Sequence, residues 1–260
     1  MRIARKRSET GYYHVVNRGN NRQAIFGDDA DRLKFLDLLD RGRREFGLRI
    51  IAWCLMGNHV HLLLDDAEGR LSAFMHKVLG GYAFYLNARR GRGGHLFQGR
   101  FFSDPIESDE RLLECVRYIL NNPAYAGICP AGAYRWSSYA EYAGEREPSL
   151  TDTSTVLDML GSTELLTRFI ADRDRCIYAF EGGRYLPDDE ARRLAVAVSE
   201  RFGTTLDKVH ALRPPARGEV IRALSAGGLS YKQIGRLCGI SSSAVGRAVA
   251  GKQRPSPAGK

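Results

Sequence analysis

Residues 48–64, LRIIAWCLMGNHVHLLL, read as two β-strands joined by a tight turn. Leu48–Leu55 carries the apolar and aromatic residues of a strand, Gly57-Asn58 has the chemistry of a short turn, and His59–Leu64 forms the return strand. Strand side chains alternate between faces, so His59 and His61 point one way while Val60 and Leu62 point the other. Two imidazoles a few ångströms apart on one face are suited to sharing a metal ion. The same pattern also suits a half-buried His pair held by backbone partners, and the spacing by itself does not choose between the two.

Working outward, Tyr12–Asn17 (YYHVVN) is β-rich and follows the turn-forming Gly11. Asp28–Phe46 carries Leu33, Phe35, Leu36, Leu38, Leu39 and Phe46 at helical spacing and ends at Gly47. Leu71–Arg90 is again helical, broken by the glycines of GRGG. Gln98–Ile106 is expected to be a strand, and Glu107–Asn121 a helix that stops at Pro123. The resulting order, β-α-β-β-α-β followed by a helix, predicts an α+β class: a ferredoxin-like antiparallel sheet with helices on one face.

The last of these helices, within ERLLECVRYILNNP, spaces Tyr118 and Asn122 four residues apart and so on one face. An Asn side-chain oxygen can serve as a third metal ligand, and a tyrosine one turn away can hold its hydroxyl over a metal-bound phosphate. Free tyrosine ionises near a pKa of about 10 and is a poor nucleophile unless activated. Taken alone, Tyr118 would be read as a core aromatic.

The chain has 260 residues, with 43% hydrophobic residues and a net charge of +9. It contains no run approaching the roughly 18 apolar residues of a membrane helix. Its start, MRIARKRSET, lacks the apolar stretch of a signal peptide, so a cytoplasmic, nucleoid-associated protein is expected. Five cysteines (Cys54, Cys115, Cys129, Cys176 and Cys238) are scattered without a CxxC pair and read as reduced core residues.

The charge is unevenly placed. Residues 1–150 hold 22 Lys+Arg against 18 Asp+Glu, residues 151–207 hold 7 against 11, and residues 208–260 hold 10 against 1. Three parts are therefore expected: a front domain over 1–150, an acidic helical connector over 151–207 and a small basic all-α domain over 208–260. In the front part, AYRWSSYAEYAG reads as a packing appendage, and in the connector LDMLG and LLTRFI read as short helices. Near the end, GLSYKQIGRLCGISSSAVGRAVAG (Gly228–Gly251) reads as a helix-turn-helix. Ser230 would cap a helix holding Ile234 and Leu237, Gly239 would make the turn, and Ser241, Ser242 and Ser243 would open a second helix carrying Val245, Arg247 and Val249. An ordinary helical hairpin has the same pattern; the basic surroundings favour nucleic acid.

The segments LMGNHVHLLL and RYILNNPAYAGI resemble the HUH single-tyrosine transposases, in particular the REP-associated tyrosine transposases. Similar stretches are HVVNRGNNRQAIF (His14–Phe26), GHLFQGRF (Gly94–Phe101) and WSSY (Trp136–Tyr139), in the same order, so the resemblance spans residues 11–144. Gly57 stands where the family usually has Pro, and Ala124 where it more often has Val; neither replaces a ligand or a nucleophile. The resemblance implies that Tyr118 is the nucleophile and that His59, His61 and Asn122 hold Mg²⁺ or Mn²⁺. It also implies a substrate of single-stranded, hairpin-forming repeat DNA, cut through a 5′-phosphotyrosine intermediate and rejoined by a 3′-hydroxyl.

Expected DNA contacts are Arg18 and Arg22 in the RGNNRQ loop, Arg100 with Phe97 and Phe101 nearby, a basic patch of Arg89, Arg90 and Arg92, and Ser241, Ser242, Ser243 and Arg247 in the tail. His14, among apolar neighbours, reads as a core histidine. Either a monomer or a homodimer that shares active sites is open; the monomer is favoured, the tail supplying grip that a second subunit would otherwise provide. Two other readings share these residues: a DNA-binding regulator on a non-catalytic scaffold, and a metal-dependent hydrolase that uses water and does not need Tyr118.

Overall fold

The computed structural model describes residues 6–172, 178, 188–227, 229 and 231–249, with the side chains of 188–190, 226 and 232 excepted. The central hairpin pairs β2 (Arg49–Leu55) with β3 (His59–Asp65), both almost wholly buried. β1 (Tyr12–Arg18) lies against β3 and β4 (Phe102–Ile106) lies against β1, giving one antiparallel sheet in the order β2-β3-β1-β4. This is the order that two interleaved βαβ units produce, and it bears out the α+β, ferredoxin-like expectation.

Helices α1 (Asp29–Phe46) and α2 (Leu71–Arg89) supply the crossovers and bury Phe35, Leu39, Phe74, Val78 and Tyr82 against Val15, Trp53, Val60, Leu62 and Leu64. Burying each such side chain contributes about 1.5–3 kcal/mol. α1 starts where Asp28 accepts from the Asp31 N–H and stops at Gly47, which adopts a left-handed φ of 70°. Alternation along β3 sends Val60, Leu62 and Leu64 into this core and leaves His59 and His61 facing the other side of the sheet.

That other side is covered by α3 (Asp109–Tyr125), opened by Ser108, whose side chain accepts from the Arg111 N–H. The helix does not stop before Pro123 as expected; it runs through it to Tyr125, and the ladder resumes with Ala126 N–H bonded to Asn122 O at 2.9 Å. In the last turn Pro removes one backbone donor and leaves the following bonds intact. The strand expected from Gln98 begins only at Phe102; before it, Phe97 makes a single bridge to Gly19.

The aromatic segment after α3 does pack, and its position has a reason. Tyr134 and Tyr142 donate to Leu55 O and Ile51 O at 2.8 and 2.7 Å, and the Leu55 N–H donates to Trp136 O at 2.9 Å. It occupies the outer edge of β2, which would otherwise present unpaired backbone groups. Past α4 (Tyr139–Tyr142), the two short helices expected in the connector are present as α5 (Ser154–Leu160) and α6 (Thr163–Ala171). α6 packs on α3, where Asn121 Nδ2 donates to Ile170 O at 2.7 Å and the Arg117 guanidinium lies 3.6 Å from the centre of the Phe169 ring.

The chain forms two compact units, Met1–Tyr178 and Ala179–Lys260. Residues of the acidic stretch thus belong to both: α5 and α6 to the first, α7 (Asp188–Arg201) to the second. In the second unit α8 (Pro214–Ala226), α9 (Tyr231–Cys238) and α10 (Ser242–Val249) pack around Leu224, Ile234, Cys238 and Val245. Between α9 and α10, Gly239 takes a φ of 66°, and a Cβ on Gly235 would come within 2.6 Å of Ile240 O, so the tight turn needs a glycine there. Ser230 and Cys176 lie outside the described residues; Cys54, Cys115, Cys129 and Cys238 are free thiols. No described helix is long and apolar enough to cross a membrane.

Candidate functional site

His59 and His61 stand side by side on the α3 face, ring centroids 4.9 Å apart and ring planes at 81°. Their Nδ1 atoms are each tied to a neighbour. His59 Nδ1 meets Asn58 Oδ1 at 2.7 Å, and His61 Nδ1 meets His14 Nε2 at 3.0 Å. The Asn58 amide is oriented by its Nδ2 donating to Arg22 O at 3.4 Å, so its oxygen faces the imidazole and accepts from His59 Nδ1–H. The Nε2 atoms of both His59 and His61 are buried.

α3 brings the other two predicted residues to the pair. The Tyr118 ring centre lies 5.7 Å from that of His61, and the Asn122 side chain stands beside His59. Burial pushes His59 down to about 3, helped by the positive charge of Arg18 and opposed by the polar side chain of Asn122. Burial also holds His61 well below its ordinary value, with His59, His14 and Arg18 adding to it. Both imidazoles are therefore neutral at pH 7, the form that ligates a metal. No group of three or more His, Cys, Asp or Glu among the described residues could hold a metal ion. Two imidazoles and an amide oxygen, with buried Nε2 atoms beside a phenol, are donors that would suit a divalent ion.

Three groups behind the pair are not evident from the sequence. His14 is fully buried, as expected of a core histidine, yet its Nε2 partner is a member of the His pair. Its Nδ1 lies 2.9 Å from the Tyr178 hydroxyl, and burial, with the charge of Arg111, lowers it to about 3. Tyr178 packs on Tyr118 with ring centres 5.3 Å apart and donates to Asp104 Oδ2 at 3.3 Å. Asp104 is in turn held by Arg111 at 2.8 Å. Parity along β1 could have put His14 on the same face as Arg18; nothing in the spacing points to Tyr178.

The predicted DNA contacts are scattered. Arg18 is the cross-strand partner of His59 and so lies at the site. Arg22 is exposed beside it in a loop with left-handed φ at Asn21 (47°) and Arg22 (60°). The loop closes tightly, because a Cβ on Gly19 would meet Gln23 O at 2.2 Å, and Tyr82 anchors its far end by donating to Ile25 O at 2.6 Å. Arg100 is exposed in an open groove of about 1330 Å³ beside α2, with Lys77 and His76. Phe101 is in the core and is not open to stacking. Arg89 and Arg90 are not a free basic patch: Arg89 pairs with Asp28 and Asp31, Arg90 with Asp31, and Arg92 donates to Gln23 Oε1 at 2.6 Å. In the second unit Ser241, Ser242, Ser243 and Arg247 are exposed, and the Ser241 Oγ accepts from the Ala244 N–H at 3.3 Å, capping α10.

Residues 7–122, which span the sheet, the His pair and the tyrosine helix, match the family model of the IS200-like transposases. Similar solved structures include a REP-associated tyrosine transposase bound to a REP hairpin (17% identity, TM-score 0.48, covering 58% of this chain and 94% of that one). A second is a putative transposase from Deinococcus radiodurans R1 (24% identity, TM-score 0.33, covering 46% and 97%). No curated protein matches the chain. The family match ends at Asn122, so α4 to α10 lie beyond it.

Proposed function

We propose that the first unit cuts and rejoins single-stranded, hairpin-forming DNA through Tyr118, with Mg²⁺ or Mn²⁺ held by His59, His61 and Asn122. The observation that supports this reading most is the convergence of four residues from a strand and a helix at one buried site, with Tyr118 next to His61 and Asn122 next to His59. A divalent ion there would polarise a scissile phosphate as a Lewis acid. Between the two bare cations, nitrogen ligation favours Mn²⁺.

In the cutting step the Tyr118 oxygen forms a bond to phosphorus and the P–O3′ bond breaks. The tyrosine proton leaves to solvent, and the departing 3′ oxygen takes up a proton to become a hydroxyl. The DNA 5′ end remains esterified to the protein. Attack by a 3′-hydroxyl on that ester reverses the step, so the phosphodiester energy is conserved and joining needs no other source. Asn122 and the His pair keep their positions through both directions. Arg18, opposite His59, is placed to hold a phosphate oxygen of the same strand. In the DNA-free fold the Tyr118 hydroxyl is covered, so strand entry must expose it, as apo geometries of catalytic groups often require.

The second unit supports a separate DNA grip. α9, a glycine turn and α10 have helix-turn-helix spacing, and the exposed Ser241, Ser242, Ser243 and Arg247 sit at the start and along the face of the second helix.

The test is incubation of the protein with Mn²⁺ and labelled hairpin-bearing single-stranded DNA, comparing wild type with Tyr118→Phe. A covalent adduct that the variant loses is expected. Cleavage that survives Tyr118→Phe would replace this reading with a water-using hydrolase, and binding without cleavage would leave a scaffold protein.

A further inference from the structure

The polar chain behind the His pair has a direction, and its chemistry fixes it. Asp104 is clamped by Arg111 at 2.8 Å and is therefore a carboxylate, which accepts hydrogen bonds and donates none. The Tyr178 hydroxyl has one proton and stands near both Asp104 Oδ2 (3.3 Å) and His14 Nδ1 (2.9 Å). The Cys115 thiol reaches it as well. The anionic oxygen is the strongest acceptor among these, so the proton points to Asp104. The Tyr178 oxygen then accepts from His14 Nδ1–H. A neutral imidazole with its proton on Nδ1 has a lone pair on Nε2, and His14 Nε2 faces His61 Nδ1 at 3.0 Å. His61 must therefore carry its own proton on Nδ1 and present a lone pair at Nε2.

We propose that Asp104, Tyr178 and His14 are positioning residues that lock His61 in the Nδ1–H tautomer, so that its Nε2 is always ready to ligate the divalent ion. The opposite order of protons would give the opposite result: Tyr178 donating to His14 Nδ1, His14 Nε2–H donating to His61 Nδ1, and a proton on the very nitrogen that must bind metal. One carboxylate thus decides the state of an imidazole two side chains away. His59 reaches the same tautomer by a shorter route, donating Nδ1–H to Asn58 Oδ1. Such outer partners orient a ligating histidine and raise its basicity. The function of the lock rests on the metal reading above; the tautomer itself does not.

The experiment uses the full-length, metal-free protein with ¹⁵N-labelled histidine, reading the His61 tautomer from two-bond ¹H–¹⁵N correlations, and separately measures Mn²⁺ affinity by titration. Wild type is expected to show His61 as Nδ1–H. Asp104→Asn, whose amide can donate to the Tyr178 oxygen, should move His61 toward Nε2–H, and Tyr178→Phe, which removes a single oxygen, should give a mixture. Both variants should bind Mn²⁺ about 10–100-fold more weakly. A merely structural role would leave the tautomer where it is. The proposal is overturned if wild-type His61 is Nε2–H, or if Tyr178→Phe changes neither tautomer nor affinity. If wild type shows the Nδ1–H tautomer but binds no Mn²⁺, the metal reading fails while the hydrogen-bond lock stands.

Discussion

Arg18 on β1 lies directly opposite His59 on β3 in the antiparallel register, which puts a fixed positive charge on the rim of the His pair. The charge contributes to holding both imidazoles neutral, and it stands where a phosphate would approach. Arg18→Ala should therefore slow DNA cleavage while leaving thermal stability nearly unchanged. The dependence of log affinity on log salt should flatten by about one unit, the effect of one lost phosphate contact. An unchanged salt slope would remove Arg18 from the DNA path.

Asn122 is the least obvious member of the site, because an amide is a weaker metal ligand than an imidazole. Asn122→Ala should weaken Mn²⁺ binding at least about tenfold, equivalent to about 1.4 kcal/mol. Titration of Mn²⁺ against wild type and variant decides it, and equal affinities would leave the site with only two protein ligands.

Arg247 is exposed on α10 in the second unit. Arg247→Ala is expected to lower affinity for duplex or hairpin DNA and leave Tyr118-dependent cleavage of a minimal single strand at wild-type rate. Gel shifts beside cleavage assays separate the effects. A loss of cleavage without loss of binding would contradict the division of labour. Cutting the chain after residue 207 would be a poor substitute for this experiment, since α7 packs with α8 and α9.

Asp31 tests the scaffold. Its buried carboxylate accepts from Gly27 N–H at 2.8 Å and pairs with Arg89 and Arg90. Burial alone would raise its pKa, but these bonds outweigh it and hold the group below the ordinary carboxylate range. A folded-state value below the unfolded one means the stabilisation is complete above the unfolded pKa of about 3.9 and is lost as pH falls through the folded value. Asp31→Asn should cost about 1–3 kcal/mol at pH 7, and urea unfolding at pH 3 should find a smaller difference. A cost that does not shrink in acid would mean the ion pairs do not supply it.

Much of this architecture is legible in the sequence because it rests on local periodicity. The alternation in HVHLLL fixes which side chains share a face, and the four-residue step from Tyr118 to Asn122 fixes a helix face; both survive in three dimensions. Features set by distant packing are not legible. Tyr178 reaches His14 across 164 residues, and no local pattern announces that. Arg89 and Arg90 look like a basic patch until the cap and the first turn of α1 supply the carboxylates of Asp28 and Asp31. Pro123 reads as a helix stop, yet α3 runs on to Tyr125, and the Ala126 N–H still bonds to Asn122 O.

In the proposed reaction Tyr118 itself becomes joined to DNA. Peptide mapping by mass spectrometry of the trapped adduct, formed with Mn²⁺ and a hairpin-bearing single strand, tests it most directly. A 5′-phosphate ester on Tyr118 itself is expected. An ester on Tyr125 or Tyr178, the two tyrosines whose rings pack against it, or cleavage with no adduct at all, would contradict the proposal.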